Sequence, residues 1–185
     1  DTHTLVMIEE CLDSNYKNII NQLCPEIART KAGEPLHCKK LPFLRNVITV
    51  GFKQPGSLTF DEAMARYELV SREQVAQMAA AVRPDDVCNM QYTSGTTGFP
   101  KGVMLTHYNV VNNGKCIGDR MGLSTADRMM IQVPMFHCFG MTLSMTSAMT
   151  HGATMCPMPY FSAASSLACI NQEKITTFNG VPTMF

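Results

Sequence analysis

Between Arg128 and Glu173, positions 129 to 172 contain no aspartate, glutamate, lysine or arginine. So long an uncharged stretch must be shielded from water over most of its length, and few folds allow that. A membrane span does not fit. Pro134, Gly140, Gly152, Pro157 and Pro159 interrupt the stretch, Ser and Thr recur, and no apolar run reaches the roughly 20 residues a bilayer needs. Short strands buried on both faces of a parallel sheet do fit, because covering helices make such strands continuously apolar. Part of the stretch could also wall a channel for an apolar substrate.

Punctuation along the chain supports the same class. Thr4 to Glu10 and Asn46 to Val50 (NVITV, ended by Gly51) have strand character, and Asn15 to Cys24 reads as a helix closed by Pro25. The Gly- and Pro-bearing stretch Ala32 to Pro42 reads as a loop. Two capping-box patterns, Thr59 with Glu62 and Ser71 with Gln74, each open a helix, the second reaching about Val82. Beyond Pro84, strands are expected at Val87 to Tyr92, Arg128 to Val133, Ala153 to Cys156 and Thr176 to Val181. Helices are expected from Thr106 to about Gly114, across Met141, Met145, Ala148 and Met149 on one face with Gly152 as C-terminal cap, and over Ser162 to Glu173. Alternation of this kind predicts an α/β fold, a mostly parallel sheet flanked by helices. The change of rhythm divides the chain into an N-terminal portion, 1–84, and a βα portion, 85–185.

Composition narrows the partners. The 185 residues balance 15 Lys+Arg against 15 Asp+Glu, so no net field favours nucleic acid or an anionic membrane, and any bound anion must be held locally. The 15 methionines, with no tryptophan, read as core packing. Eight cysteines, at 11, 24, 38, 88, 116, 138, 156 and 169, form no CxxC pair and stand among apolar neighbours. That predicts reduced, buried thiols in a cytoplasmic or matrix-like compartment, with neither a zinc site nor a disulfide scaffold. The chain starts at Asp1 with no signal-peptide pattern and stops in the apolar run Asn179 to Phe185, so it is expected to be a piece of something longer, with apolar surface able to self-associate.

The chemistry concentrates at Thr93 to Gly102, TSGTTGFPKG, which carries three glycines, four hydroxyls, one lysine and no acid. Following a strand and leading toward a helix, such a loop can aim backbone N–H groups at phosphate oxygens, with Thr93, Ser94, Thr96 and Thr97 adding hydroxyls and Lys101 a compact charge. Its spacing from Gly95 to Lys101 matches a Walker A loop. However, Pro100 precedes the lysine and Gly102 follows it, where Walker A needs a magnesium-binding hydroxyl. A surface loop without function is the plain alternative.

The stretch YTSGTTGFPKGVMLTH, Tyr92 to His107, closely resembles the signature loop of the adenylate-forming superfamily. VPMFHCFG (Val133 to Gly140), HGATM (His151 to Met155) and NGVPTMF (Asn179 to Phe185) look like further landmarks of its large N-terminal domain. LPFLRNVITVG together with NMQYTSGTTGFPKG is most similar to the medium-chain fatty acyl-CoA ligase branch. The resemblance implies a two-step ligase, in which a fatty acid carboxylate attacks the α-phosphate of ATP and coenzyme A then displaces AMP. It places Thr93, Ser94, Gly95, Thr96, Thr97, Gly98, Phe99, Pro100, Lys101 and Gly102 around the ATP phosphates, with Lys101 and Thr96 acting in catalysis. It also puts His137 between the acyl pocket and the coenzyme A tunnel as an orienting or gating group. His107 and His151 read as structural. Met135, Phe136, Phe139 and Met141 are pocket-wall candidates for which ordinary core is the stronger reading. The superfamily's metal carboxylate for Mg²⁺, ribose-binding aspartate and C-terminal lysine find no counterpart here, so no metal ligand is assigned and the isolated chain is expected to be inactive. An aryl- or amino-acid-activating relative, a degenerate P-loop NTPase and a non-catalytic binding module remain as alternatives.

Overall fold

The computed structural model describes residues 2–93, 95 and 98–185. The chain divides into two compact units, Asp1–Ala80 and Ala81–Phe185, each with its own core.

The first unit is organised by a parallel sheet. Strand β1 (Thr4–Ile8) is followed by a small hairpin, β2 (Glu10–Cys11) with β3 (Ser14–Asn15), and by helix α1 (Tyr16–Leu23). Strand β4 (Asn46–Val50) then pairs with β1 in parallel, Thr4 opposite Asn46 through Ile8 opposite Val50, and its other edge takes β5 (Leu58–Thr59). Asn15 caps α1 by accepting the Asn18 N–H at 2.8 Å, and Pro25 ends the helix because its ring cannot continue it, turning the chain into a 3-10 helix, Pro25–Arg29. Met7, Ile20, Cys24, Ile27, Leu36, Cys38, Leu44 and Val47 make the core. The stretch after Thr30 has no regular structure up to β4, as its Gly and Pro content predicts. Helix α2 (Phe60–Met64) opens on the predicted capping box: the Glu62 N–H donates to Thr59 Oγ1 at 3.2 Å, and the Thr59 N–H to Glu62 Oε2 at 2.9 Å. Ser71 and Gln74 form the same reciprocal pair ahead of α3 (Arg72–Ala81).

In the second unit, β6 (Val87–Thr93) does not lead through a loop into a helix. It turns back as β7 (Lys101–Thr106), antiparallel, with Thr93 opposite Lys101 and Val87 opposite Thr106. Helix α4 follows from the far end of β7 and runs His107–Met121, well past Gly114, to Gly122 in the left-handed region at φ +67°. The predicted stop at Gly114 fails because this glycine serves packing. A Cβ there would sit 2.6 Å from Thr146 Cγ2, and one at Gly118 would collide with the His151 ring. The two glycines let α4 lie close against the next two helical segments.

The charge-free stretch supplies the second core. Strand β8 (Arg128–Ile131) is central, flanked in parallel by β9 (Thr154–Pro157) and β10 (Thr177–Phe178). Met129, Met130 and Ile131 are each at most 1% exposed, so consecutive residues are buried on both faces as expected. Between β8 and β9 lies a π-helix, Phe139–Thr146, continuing into α5 (Ser147–His151), which Gly152 closes at φ +68°. The wider π turn breaks the predicted single face: Ala148 is buried, whereas Met149 is 62% exposed. Polar residues hold this segment together. Ser144 and Thr146 donate their hydroxyls to the carbonyls of Phe139 and Met141, five residues back, at 3.2 and 2.9 Å. Helix α6 (Ala163–Glu173) precedes β10. Among the described residues no helix is long and apolar enough to cross a membrane.

The cysteines depart from expectation. Cys24 and Cys38 are buried, but Cys11, Cys88 and Cys116 are exposed. A local apolar neighbourhood in sequence does not decide which face of a strand or helix a side chain occupies, and Cys88 sits where the register of β6 against β7 shifts.

Candidate functional site

The loop between β6 and β7 is the tip of a hairpin. Gly95 stands at φ +60° and Gly98 at φ +82°, a region L side chains rarely adopt, and a Cβ on Gly95 would run into the Phe99 carbonyl. Thus the glycines allow the loop to fold tightly over itself, consistent with close backbone approach to a ligand. Ser94, Thr96 and Thr97, named above as phosphate-binding candidates, lie outside the described residues.

Thr93 and Lys101 face each other as the last pair of the ladder, so their side chains emerge at the base of the same loop. Both are exposed, and among the described residues no carboxylate pairs with Lys101. Phe99 is 81% exposed. The start of α4 lies a whole strand away, about 17–20 Å at 3.3 Å per residue, so the helix dipole contributes little at the loop. Any anion held here would depend on loop N–H groups, hydroxyls and the Lys101 ammonium. A Walker-type site, where the loop enters a helix directly, is incompatible with this hairpin.

The second predicted element, His137, occupies the turn between β8 and the π-helix. Its N–H donates to the Pro134 carbonyl at 3.1 Å, and its own carbonyl accepts from the Gly140 and Met141 N–H groups, both at 3.0 Å. The Phe139 N–H donates to His137 Nδ1 at 3.1 Å. With Nδ1 used as an acceptor, the neutral ring carries its proton on Nε2, making it a donor suited to orienting a substrate oxygen. Gly140 is obligatory nearby: a Cβ would lie 2.8 Å from Met135 Cα and would also clash with the Pro134 carbonyl. Met135 and Phe136 are 44% and 85% exposed, which corrects the core reading for these two, whereas Phe139 packs on the second core. They project from the turn because the backbone there is committed to the His137 and Gly140 contacts.

A bond that the sequence alone does not announce ties the two elements. Gln91, two residues before Thr93, donates from Nε2 to the Phe136 carbonyl at 3.0 Å. A polar chain then runs behind the turn: Ser166 Oγ donates to Gln132 Oε1 at 2.9 Å, Gln132 Nε2 reaches the Asn179 carbonyl at 3.5 Å, and Asn179 Nδ2 donates to Ser144 Oγ at 3.1 Å. One signal existed for it. Gln132 is the lone amide in the apolar run RMMIQV, and it is 3% exposed.

Four other groups have structural partners. His107 follows the Thr106 cap of α4, and its N–H donates to the Asp86 carbonyl at 3.2 Å. His151 Nε2 lies 3.1 Å from Asp119 Oδ1, and its Nδ1 lies 3.0 Å from the Ser147 carbonyl. Asp119 is held below the usual carboxylate range by hydrogen bonding to Lys115 and then to His151. Asp127 is held low by the Thr176 hydroxyl and the Ser124 N–H.

Comparison with known proteins matches residues 15–185 to the family of AMP-binding enzymes. YngI of Bacillus subtilis (strain 168) is 40% identical over all of this chain, which spans 34% of that relative. The human medium-chain acyl-CoA ligase ACSF2, mitochondrial, is 35% identical over 98% of the chain, which spans 30% of it. The chain therefore spans about a third of the length of these curated relatives. Among solved structures, the anthranilate CoA ligase AuaEII, in complex with anthranoyl-AMP, superposes with a TM-score of 0.72 at 24% identity, over 98% of this chain and 31% of that one. The N-terminal domain of FACL13 from Mycobacterium tuberculosis, inhibitor-bound, gives 0.61 at 21% identity, over 98% and 50%. At such identities these two carry the fold alone, an α/β arrangement shared with the N-terminal domain of FACL13.

Proposed function

Because this chain belongs to the AMP-binding enzyme family, we propose that it is the phosphate-loop portion of an AMP-forming acyl-CoA ligase acting on fatty acids. Residues 1–84 form the N-terminal part of the nucleotide-binding domain, and 85–185 the subdomain bearing the loop. The carrying observation is the hairpin that places Thr93 and Lys101 together beneath a glycine tip without acidic residues. Relatives named as acyl-CoA ligases at 35% identity support the substrate class.

The first step brings a carboxylate toward a polyanion, so charge must be neutralised and the reactants held in line. Lys101, Thr93 and the backbone N–H groups of loop residues other than Pro100, with the hydroxyls of Ser94, Thr96 and Thr97, would hold the β- and γ-phosphates of ATP. Residues 93 to 102 offer hydroxyls and phosphate donors but no carboxylate, so a carboxylate ligand for Mg²⁺ would come from elsewhere in the enzyme. His137, its ring set by the Phe139 N–H, would donate from Nε2 to orient the acyl group as the thiol of coenzyme A arrives. The compartment in this reading is a reducing one, cytoplasm or mitochondrial matrix.

The test is ATP–pyrophosphate exchange with medium-chain fatty acids. The longer ligase should exchange, a Lys101→Ala variant should lose about 10²–10³-fold, the loss expected for one transition-state donor, and its thermal unfolding should be unchanged. Robust exchange by residues 1–185 alone would overturn the assignment. So would exchange that persists in the lysine variant.

A further inference from the structure

The first unit contains a cluster of metal-ligating groups that the ligase chemistry does not use. Cys24 Sγ, Cys38 Sγ and a Glu26 carboxylate oxygen all lie within 4.8 Å of one another. The two thiols are 0% and 3% exposed. Cys24 is the C-terminal cap of α1, Glu26 stands on the first turn of the 3-10 helix beyond Pro25, and Cys38 comes from the loop leading to β4. Two pieces of backbone, the junction of α1 with the 3-10 helix and the loop before β4, thus deliver these donors to a common point.

Buried cysteines are often no more than small apolar side chains. A carboxylate among them is a different matter. Glu26 Oε1 accepts the Lys39 N–H at 3.3 Å, but Oε2 is shielded from solvent and has no partner among the described residues. Besides backbone N–H groups, the groups that act on this carboxylate are the Cys38 and Cys24 thiols, within 4.8 Å of it, whose protons a divalent cation would displace. Cys38 Sγ offers its hydrogen to the Leu23 carbonyl at 3.3 Å, a weak sulfur contact that leaves the sulfur lone pairs free.

We propose that Cys24, Glu26 and Cys38 form a zinc site that braces the first unit. Two thiolates and one carboxylate make a donor set for a borderline-soft divalent cation and a poor one for Mg²⁺ or Ca²⁺. Tetrahedral zinc with bonds of about 2.3 Å needs sulfur–sulfur separations of roughly 3.8 Å, so the cluster has to contract by about 1 Å or less. Three protein ligands leave a fourth position. Beside Glu26 opens a cleft of about 460 Å³ lined also by Pro25, Arg29, Thr30 and His37, from which water can reach the fourth position. The cation would pin a stretch of chain that lacks regular structure to the end of α1, closing the loop between Cys24 and Cys38. Its role is structural.

The experiment uses the full chain, reduced and metal-free, with Co²⁺ as the probe. One equivalent should produce a near-ultraviolet thiolate-to-cobalt charge-transfer band that Zn²⁺ abolishes by displacement and Mg²⁺ leaves untouched. Cys24→Ala and Cys38→Ala should remove the band, Glu26→Gln should weaken binding at least tenfold, and Cys11→Ser should change nothing. Because emptying a core position can unfold the unit, alkylation of the unsubstituted chain is followed alongside. Zn²⁺ should protect Cys24 and Cys38, identified by peptide mass, and raise the melting temperature. The proposal is overturned by absence of a stoichiometric band, by a band surviving both cysteine substitutions, or by zinc protection confined to Cys11, Cys88 or Cys116. A Cys24–Cys38 disulfide that takes up no metal after reduction would overturn it as well.

Discussion

Gln91 on β6 donates from Nε2 to the carbonyl of Phe136 at 3.0 Å, and this one bond joins the strand carrying the glycine loop to the turn carrying His137. Thr93 lies two residues along the strand and His137 one residue along the turn. Replacement by Gln91→Met keeps the length and removes the donor. In the longer ligase proposed above it should lower kcat/KM for thioester formation by roughly 2–10-fold, matching about 0.5–1.5 kcal/mol for one hydrogen bond. Adenylate formation should change less. Equal loss in both half-reactions, accompanied by a lower melting temperature, would assign Gln91 to folding alone.

The contact of α4 with the helices behind it depends on two hydrogen atoms. Gly114→Ala brings a methyl to 2.6 Å from Thr146 Cγ2 and 3.0 Å from the Thr146 carbonyl carbon, inside any tolerable contact. Overpacking of this kind costs about 1–3 kcal/mol even though alanine favours helix. Chemical denaturation of Gly114→Ala should show that loss. A gain in stability would mean the helices separate freely.

Leu12 occupies the β2–β3 turn at φ +52°, with its side chain 98% exposed. A leucine there pays roughly 1–2 kcal/mol for the left-handed conformation and recovers almost nothing by burial. Leu12→Gly relieves the strain at some entropic cost, so a net stabilisation of about 0.5–1 kcal/mol is expected in urea titrations.

Burial, with Cys38 beside it, pushes the Cys24 thiol up to about 12 in the absence of a cation. In the folded state the proton is thus held more tightly than in the unfolded chain, where the thiol titrates near 9. The native state binds more protons between these values, so this contribution is complete below pH 9 and is lost as pH rises toward 12. Metal-free protein should therefore lose stability across that alkaline window. At pH 8 the exposed Cys11 should be alkylated far faster than Cys24, and mass spectrometry over a time course measures both.

Short-range chemistry was legible without the structure. The reciprocal pairs Thr59 with Glu62 and Ser71 with Gln74 complete their bonds within four residues, and so does the left-handed cap at Gly152; strand Asn46–Val50 needs only its β-branched density and Gly51. The charge-free stretch announces a core only in part: Met129 to Val133 and much of the π-helix are buried, whereas β9 and α6 are largely exposed, because lack of charge does not by itself decide which face of an element is covered. Signature residues in the loop also identify its family, since that information lies in residue order.

Tertiary structure alone decided the rest. Lys101–Thr106 becomes a strand only by pairing with Val87–Thr93, and this moves the loop from a helix entrance to a hairpin tip. In the π turn the hydroxyls of Ser144 and Thr146 reach carbonyls five residues back, a geometry invisible to a 3.6-residue period. Gly114 reads as a helix end until a second helix is laid against it. Cys24, Glu26 and Cys38 show no ligand spacing in the chain and meet only when Pro25 turns the backbone and the later loop folds over it. The common cause is distance along the chain: bonds closed within one turn are written in adjacent residues, whereas partners tens of residues apart are chosen by packing.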